Sequence, residues 1–188
     1  MPAVLAACLL AFASWGTVAR ADEALEGELE IRSAYAVPSH GVIELSASIA
    51  YPPSERLVES LKDGVSLSFD LECVVHRHRR VWFDEVAVQL VRHRELSYQV
   101  VTDRYQLRDP DSGTVETFAT LEGALARLGA VDDWPIAVDS QLRPSEQWQV
   151  ALRAGVRRGH MPDTLRALMF WSDAWHRTSD WYTWTLVR

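Results

Sequence analysis

Between Leu67 and Val75 the side chains alternate. Leu67, Phe69, Leu71, Cys73 and Val75 are apolar, and Ser68, Asp70 and Glu72 between them are polar. A period of two puts one set on each face of an extended strand, whereas a helix would scatter them around its surface. The same period runs through Leu29, Ile31, Ser33 and Tyr35, set between Glu28, Glu30 and Arg32. It returns in Ile43, Leu45, Ala47, Ile49 and Tyr51, and again in Trp148, Val150, Leu152, Ala154 and Val156. A chain of one-sided strands must bury each apolar face against another layer, and the compact solution is sheet on sheet.

Turn and cap residues divide the pattern. Pro38-Ser39-His40-Gly41 predicts a turn, and Pro52-Pro53 ends the strand that follows it. Ser54 caps a short helix over residues 55–63, with Leu57, Val58 and Leu61 on one side and Gly64 at its C-terminal end. Strands are expected over residues 65–77, 84–94 and 96–107, the first two joined by a turn at 79–83. The last is either one strand or two, bent at Thr102-Asp103-Arg104. Asp109-Pro110-Asp111-Ser112-Gly113 is a turn, and residues 114–118 a short strand. Thr120 caps a second helix, 121–128, stopped by Gly129. A loop through Asp132-Asp133-Trp134-Pro135 leads to a strand at 147–156, a short helix at 163–170 and a final strand at 181–187. The expected fold is mainly β: an antiparallel two-sheet sandwich of about eight strands with two or three short helices, apolar sets inside and charges outside.

The N-terminus obeys a different logic. Residues 3–18 are apolar and small apart from Ser14, Gly16 and Thr17, and end in Ala19-Arg20-Ala21 before Asp22-Glu23. That is the layout of a secretory signal peptide cut after Ala21, with Ala19, Ala21 and Asp22 as the processing site. The run is shorter than the ~20 apolar residues of a membrane span, so an uncleaved leader would be the chain's only membrane attachment. The expected organisation is a leader over residues 1–21 and one β-rich domain over 22–188, located in the periplasm.

Removing the leader from 188 residues leaves 167, and loss of Arg20 takes the formal charge from −7 to −8. A mildly acidic exported chain is a poor candidate for general nucleic-acid or anionic-lipid binding. Of 19 basic residues only Lys62 is a lysine. Cys73 is the one cysteine beyond the leader, so no intrachain disulfide is expected. Its place on the apolar side of a strand makes it a core thiol rather than a nucleophile.

Several segments have a familiar order and spacing. They are Tyr51-Pro52-Pro53-Ser54 with Leu57 and Leu61; Asp63-Gly64-Val65 with Leu67 and Phe69; and Arg80-Val81-Trp82-Phe83-Asp84-Glu85. They continue through Leu96-Ser97-Tyr98, Thr117-Phe118-Ala119-Thr120-Leu121-Glu122-Gly123-Ala124-Leu125, Asp133-Trp134-Pro135, and Ser172-Asp173 with Ser179-Asp180-Trp181. Over roughly residues 29–185 the chain resembles the proteobacterial "domain of unknown function 4390" family. The resemblance implies an exported, β-rich protein of a Gram-negative envelope and, from the genes that accompany the family, a sensor kinase as partner. It carries over no catalytic residue. This chain has Asp173-Ala174-Trp175-His176 where the family pattern places the tryptophan directly after the aspartate.

Two clusters stand out as candidate sites. Trp171, Trp175, Trp181, Tyr182 and Trp184 fall within fourteen residues, interleaved with Asp173, His176 and Asp180. Rings on one sheet face would stack on sugars or seat a partner, with Asp173 and His176 as polar groups of the pocket. The same rings would equally fill a core. Trp181 and Trp184 are out of step along the strand, so one of them should approach the surface. The second cluster is His76-Arg77-His78-Arg79-Arg80. Arg77, Arg79, Arg80 and Trp82 form a candidate partner-binding hairpin tip. His76 and His78 would share a strand face, and His93 or Asp84 would have to supply a third ligand for a metal-dependent hydrolase. Three arginines beside them oppose a cation. No Gly-x-Ser-x-Gly elbow occurs, and no cofactor motif is present. The leading expectation is a non-enzymatic binding or accessory domain. The alternatives are a carbohydrate- or peptidoglycan-binding module and a metal-dependent hydrolase.

Processing gives a direct test. Protein recovered from the periplasmic fraction of a Gram-negative host should begin at Asp22 by N-terminal sequencing. Intact chain in the cytoplasmic fraction would refute export.

Overall fold

Among the described residues the chain forms ten strands in two antiparallel sheets. The computed structural model describes residues 28–77, 85–159 and 176–187. In chain order the strands are β1 (Glu30–Ser39), β2 (Val42–Ala50), β3 (Leu67–Arg77), β4 (Glu85–Gln99) and β5 (Arg104–Arg108). They continue with β6 (Val115–Phe118), β7 (Ala130–Val138), β8 (Gln149–Arg158), β9 (Arg177–Thr178) and β10 (Tyr182–Thr185). Helix α1 (Glu55–Lys62) follows β2, and α2 (Leu121–Gly129) runs straight into β7. The smaller sheet has the order β1-β2-β7. The larger has β10-β8-β3-β4-β5-β6, with β9 also on β8. The fold is mainly β, as the alternation predicts.

Each element has a local cause. His40 and Gly41 both take positive φ (48° and 83°) and form a two-residue hairpin loop, whose twist suits the strands on either side. The Ser54 hydroxyl accepts from the Leu57 amide at 3.1 Å and starts α1, whose Leu57 and Leu61 are fully buried. Thr120 caps α2 in the same way through the Gly123 amide at 3.1 Å. Asp109 organises the turn after β5 by accepting from the Asp111 and Ser112 amides at 2.9 and 3.1 Å.

The core lies between the sheets. β3 contributes Leu67, Phe69, Leu71, Cys73 and Val75, and β8 contributes Val150, Leu152, Ala154 and Val156. Opposite them lie Leu29 just before β1, Ile31 and Ala36 of β1, Ile43, Leu45 and Ile49 of β2, and Val131 and Ile136 of β7. Burial pushes the Cys73 thiol up to about 12, so it is an inert core group as its position implies. The smaller sheet covers only part of the larger, and α2 extends the cover over β5 and β6.

Three expectations need correction. Asp132-Asp133-Trp134-Pro135 is not a loop: it lies inside β7, the edge strand of the smaller sheet. Two register shifts against β2 and a left-handed Asp133 (φ 47°) absorb its irregular residues, and an edge strand tolerates Pro135. The strands expected over 84–94 and 96–107 divide elsewhere: Glu85–Gln99 is one strand, β4. The bend falls at 100–103, where Asp103 is left-handed (φ 52°). The rule of charges outside fails at Arg92 and Arg94. They pair with Leu71 and Phe69 and share the inner face with Leu90 and Leu96. The expected helix at 163–170 and turn at 79–83 lie outside the described residues.

Gly129 is more than a helix stop. A Cβ there would sit 2.1 Å from the Ile49 carbonyl oxygen, so only glycine lets α2 close onto β2. Gly129→Ala should destabilise the fold by about 1–3 kcal/mol, read as a lower urea midpoint at unchanged slope. An unchanged midpoint would mean the helix can back away freely.

Candidate functional site

The outer face of the larger sheet is built by the other half of the alternation. β3 presents Ser68, Asp70, Glu72, Val74 and His76, flanked by Gln89, Val91, His93 and Glu95 of β4 and by Ala151, Arg153 and Arg157 of β8. Part of this face is a cross-strand charge ladder. Asp70 accepts from Arg157 Nε at 2.6 Å on one side and meets His93 Nδ1 at 2.7 Å on the other. Glu72 accepts from Arg153 at 2.7 Å, and the Ser66 hydroxyl donates to Glu95 at 2.8 Å. Burial works to raise the Asp70 carboxyl, but the hydrogen bonds from Arg157 and His93 outweigh it and hold it below the usual carboxylate range.

Beside the ladder lies an apolar patch. Trp181 is 44% exposed, Val86 55% and Val91 41%. Val74, Val86, Ala151, Trp181 and Thr183 line a shallow depression with His76 at its side. The Arg153 guanidinium sits 4.5 Å from the centroid of the Trp181 ring. One arginine therefore ties Glu72 of the ladder to the exposed ring and fixes that ring's orientation.

The candidate residues fall in different places. Trp181 lies on the outer face; Trp184, with Tyr182 at 5.8 Å between ring centroids, packs inward against the core. The two indoles thus occupy opposite sides of the terminal strand, as their spacing predicts, and do not form one stacking surface. His176 is exposed just before β9. Trp171, Asp173 and Trp175 lie outside the described residues, as do Arg79, Arg80, Trp82 and the processing site at Ala19, Ala21 and Asp22. Arg77 is engaged: it is ion-paired with Glu85 and Glu146 and lies 5.9 Å from the Trp148 ring centroid.

The register separates the histidines. His93 pairs with Asp70, whereas His76 lies six positions farther along β3, about 20 Å away at ~3.4 Å per residue. His93 therefore cannot complete a metal site at His76. His78 and Asp84 lie outside the described residues. Among the described residues no group of three potential ligands converges.

Sequence reasoning missed Asp70, Glu72, Arg153 and Arg157 as a connected set. Each was legible as an outward residue, but β3 and β8 pair across more than eighty residues of chain, and nothing in composition states that pairing.

A family model described as "Domain of unknown function (DUF4390)" matches residues 26–185. No curated protein and no solved structure matches the chain.

The lowered Asp70 carboxyl sets a pH dependence. Its contribution to stability is present above the unfolded carboxyl value of about 3.9 and is lost as pH falls through the lower folded value. Melting followed by circular dichroism from pH 7 to pH 2 should show the wild type's advantage over Asp70→Asn shrinking below about pH 4. A difference constant with pH would contradict the ladder.

Proposed function

The chain belongs to the DUF4390 family, a domain of unknown function, and we propose that it is a non-enzymatic binding domain of the bacterial envelope that docks a partner protein on the outer face of its larger sheet. The observation that carries this reading is the exposed patch of Trp181 and Val86, with Val74 and Ala151, beside the charge ladder, where Val91 is exposed opposite Glu72. A flat apolar patch with an oriented indole and a paired polar surround has the layout of a protein-binding surface. Tryptophan and arginine are the residues that dominate such interfaces. Arg153 already holds the Trp181 ring in place, so little ordering cost remains on binding.

The partner that fits is the envelope-side region of a sensor kinase, the partner implied by the family resemblance. The leader would bring both to the same compartment. The outward indole is single among the described rings, which favours a protein patch over a row of rings for a glycan.

Biolayer interferometry between the purified domain and the envelope-side region of the neighbouring sensor kinase tests this. Trp181→Ser should weaken binding by about 2 kcal/mol or more, the size of an interface hot spot. Trp184→Phe, on the inner face, should leave binding nearly unchanged. Absence of binding, or equal loss from both variants, would overturn the reading.

A further inference from the structure

The opposite face of the same sheet holds a second anomaly. Arg92 and Arg94 project from β4 into the space between the sheets, beside Phe69 and Leu71. Arg127, in the last turn of α2, reaches the same space from the other layer. The three surround a small cavity whose apolar wall includes Ile49, Tyr51 and Val131. Its volume of about 20 Å³ has room for one water-sized group, such as a single carboxylate oxygen.

Two of the arginines are already matched. Arg94 lies 3.4 Å from the Asp109 carboxylate, and Arg127 donates to Glu116 at 3.0 Å and to the Ala130 carbonyl at 3.2 Å. Arg92 is not. Among the described residues it has no ion pair or hydrogen bond, and its guanidinium rests 6.0 Å from the centroid of Trp134 on β7. Burial, and repulsion from Arg94 and Arg127, disfavour its charge; Asp109 and the exposed Asp132 only partly compensate. A half-buried guanidinium without a counter-ion is expensive. It is retained where something else completes it.

We infer that the cleft between β4, β7 and α2 binds the carboxylate of a ligand, held by the fork of Arg92 and backed by Arg94 and Arg127. The matched charges choose the class. Asp109 and Glu116 neutralise two of the three cations. Asp70, which also borders the cavity, is taken by Arg157 and His93, and the exposed Asp132 makes no ion pair with Arg92 among the described residues. A directly bonded negative charge is therefore what Arg92 lacks, and a phosphate dianion would exceed it. A planar carboxylate accepts two parallel hydrogen bonds from one guanidinium, and the apolar wall strengthens them by excluding water. The cavity admits little more than one carboxylate oxygen, so the rest of the ligand lies outside it. This cleft is on the other face from Trp181, so the inference stands independently of the proposed docking surface.

Isothermal titration calorimetry on the purified chain tests it. The probes are butyrate, acetyl-dialanine, the amide of acetyl-dialanine, and inorganic phosphate. Both carboxylates should bind saturably, the amide should not, and phosphate should bind more weakly. The tighter of the two carboxylates tells a free acid from a peptide C-terminus, and either supports the site. Arg92→Gln should weaken carboxylate binding about tenfold or more, and Arg92→Lys less, because it keeps the charge but not the fork. Arg143→Gln, at a side chain that is 74% exposed and far from the cleft, should change nothing. Arg92→Met without ligand should melt at or above the wild-type temperature, since an unmatched buried charge has been removed. A clear fall in that melting temperature would mark Arg92 as a structural group and overturn the inference. So would an absence of saturable carboxylate binding, binding unchanged in Arg92→Gln, or phosphate binding as tightly as carboxylate.

Discussion

β3 is hydrogen-bonded along nearly its whole length to β4 on one side and β8 on the other. Its odd-numbered side chains, Leu67 to Val75, form the floor of the core. Because the side-chain period is two, a slip of one residue would bring Asp70 and Glu72 inward and turn Phe69 out to water. Each of the large apolar groups gains roughly 1.5–3 kcal/mol from burial, so the register is held by far more than any surface pair could supply. That same register sets Asp70 between His93 and Arg157 and places Glu72 beside Arg153. The outer face is ordered by what the inner face requires.

The other layer follows from an area mismatch. Three strands cannot cover seven, so α2 roofs β5 and β6. The helix passes without a linker from Gly129 into Ala130 of β7, and the missing side chain at Gly129 lets this joint rest directly on the Ile49 carbonyl. That contact fixes how closely α2 approaches β2 of the smaller sheet, and with it where Arg127 stands across from Arg92 and Arg94.

The strands whose alternation is clean, β2, β3 and β8, are legible from the sequence, and so is the burial of Cys73. Both helices are legible from their caps, Ser54 and Thr120. β7 is not, because two aspartates and a proline imitate a loop. Only its position at a sheet edge, a property of the assembled fold, makes them tolerable. The inward arginines carried a signal that a wrong boundary weakened. Leu90, Arg92, Arg94 and Leu96 share one parity, so an unbroken strand forces both arginines inside. A boundary at Glu95 drops Leu96 from that set and leaves only Leu90 to mark the inner side. In the candidate binding face, the exposed Trp181 follows from its being out of step with Trp184. Its arginine partner does not, because Arg153 reaches it through pairing between strands distant in sequence.

Arg92 and His93 are neighbours in the chain on opposite faces of β4, and their energetics differ accordingly. The outer pairs are partly exposed and screened within about 8 Å at physiological salt. Each contributes about 0–1 kcal/mol. Their effect is orientation: they hold His93, Arg157 and Arg153 in place and leave the valines and Trp181 as the uncommitted part of that surface. Arg92 is half-buried under the second layer, so its charge is less screened than the outer pairs and only partly matched, by Asp109 and Asp132. Salt should therefore loosen the outer ladder more than it weakens the inner guanidinium's demand for an anion. The sheet thus separates two kinds of recognition, contact area on one side and a single charge on the other, and the alternation of one strand decides which residue serves which.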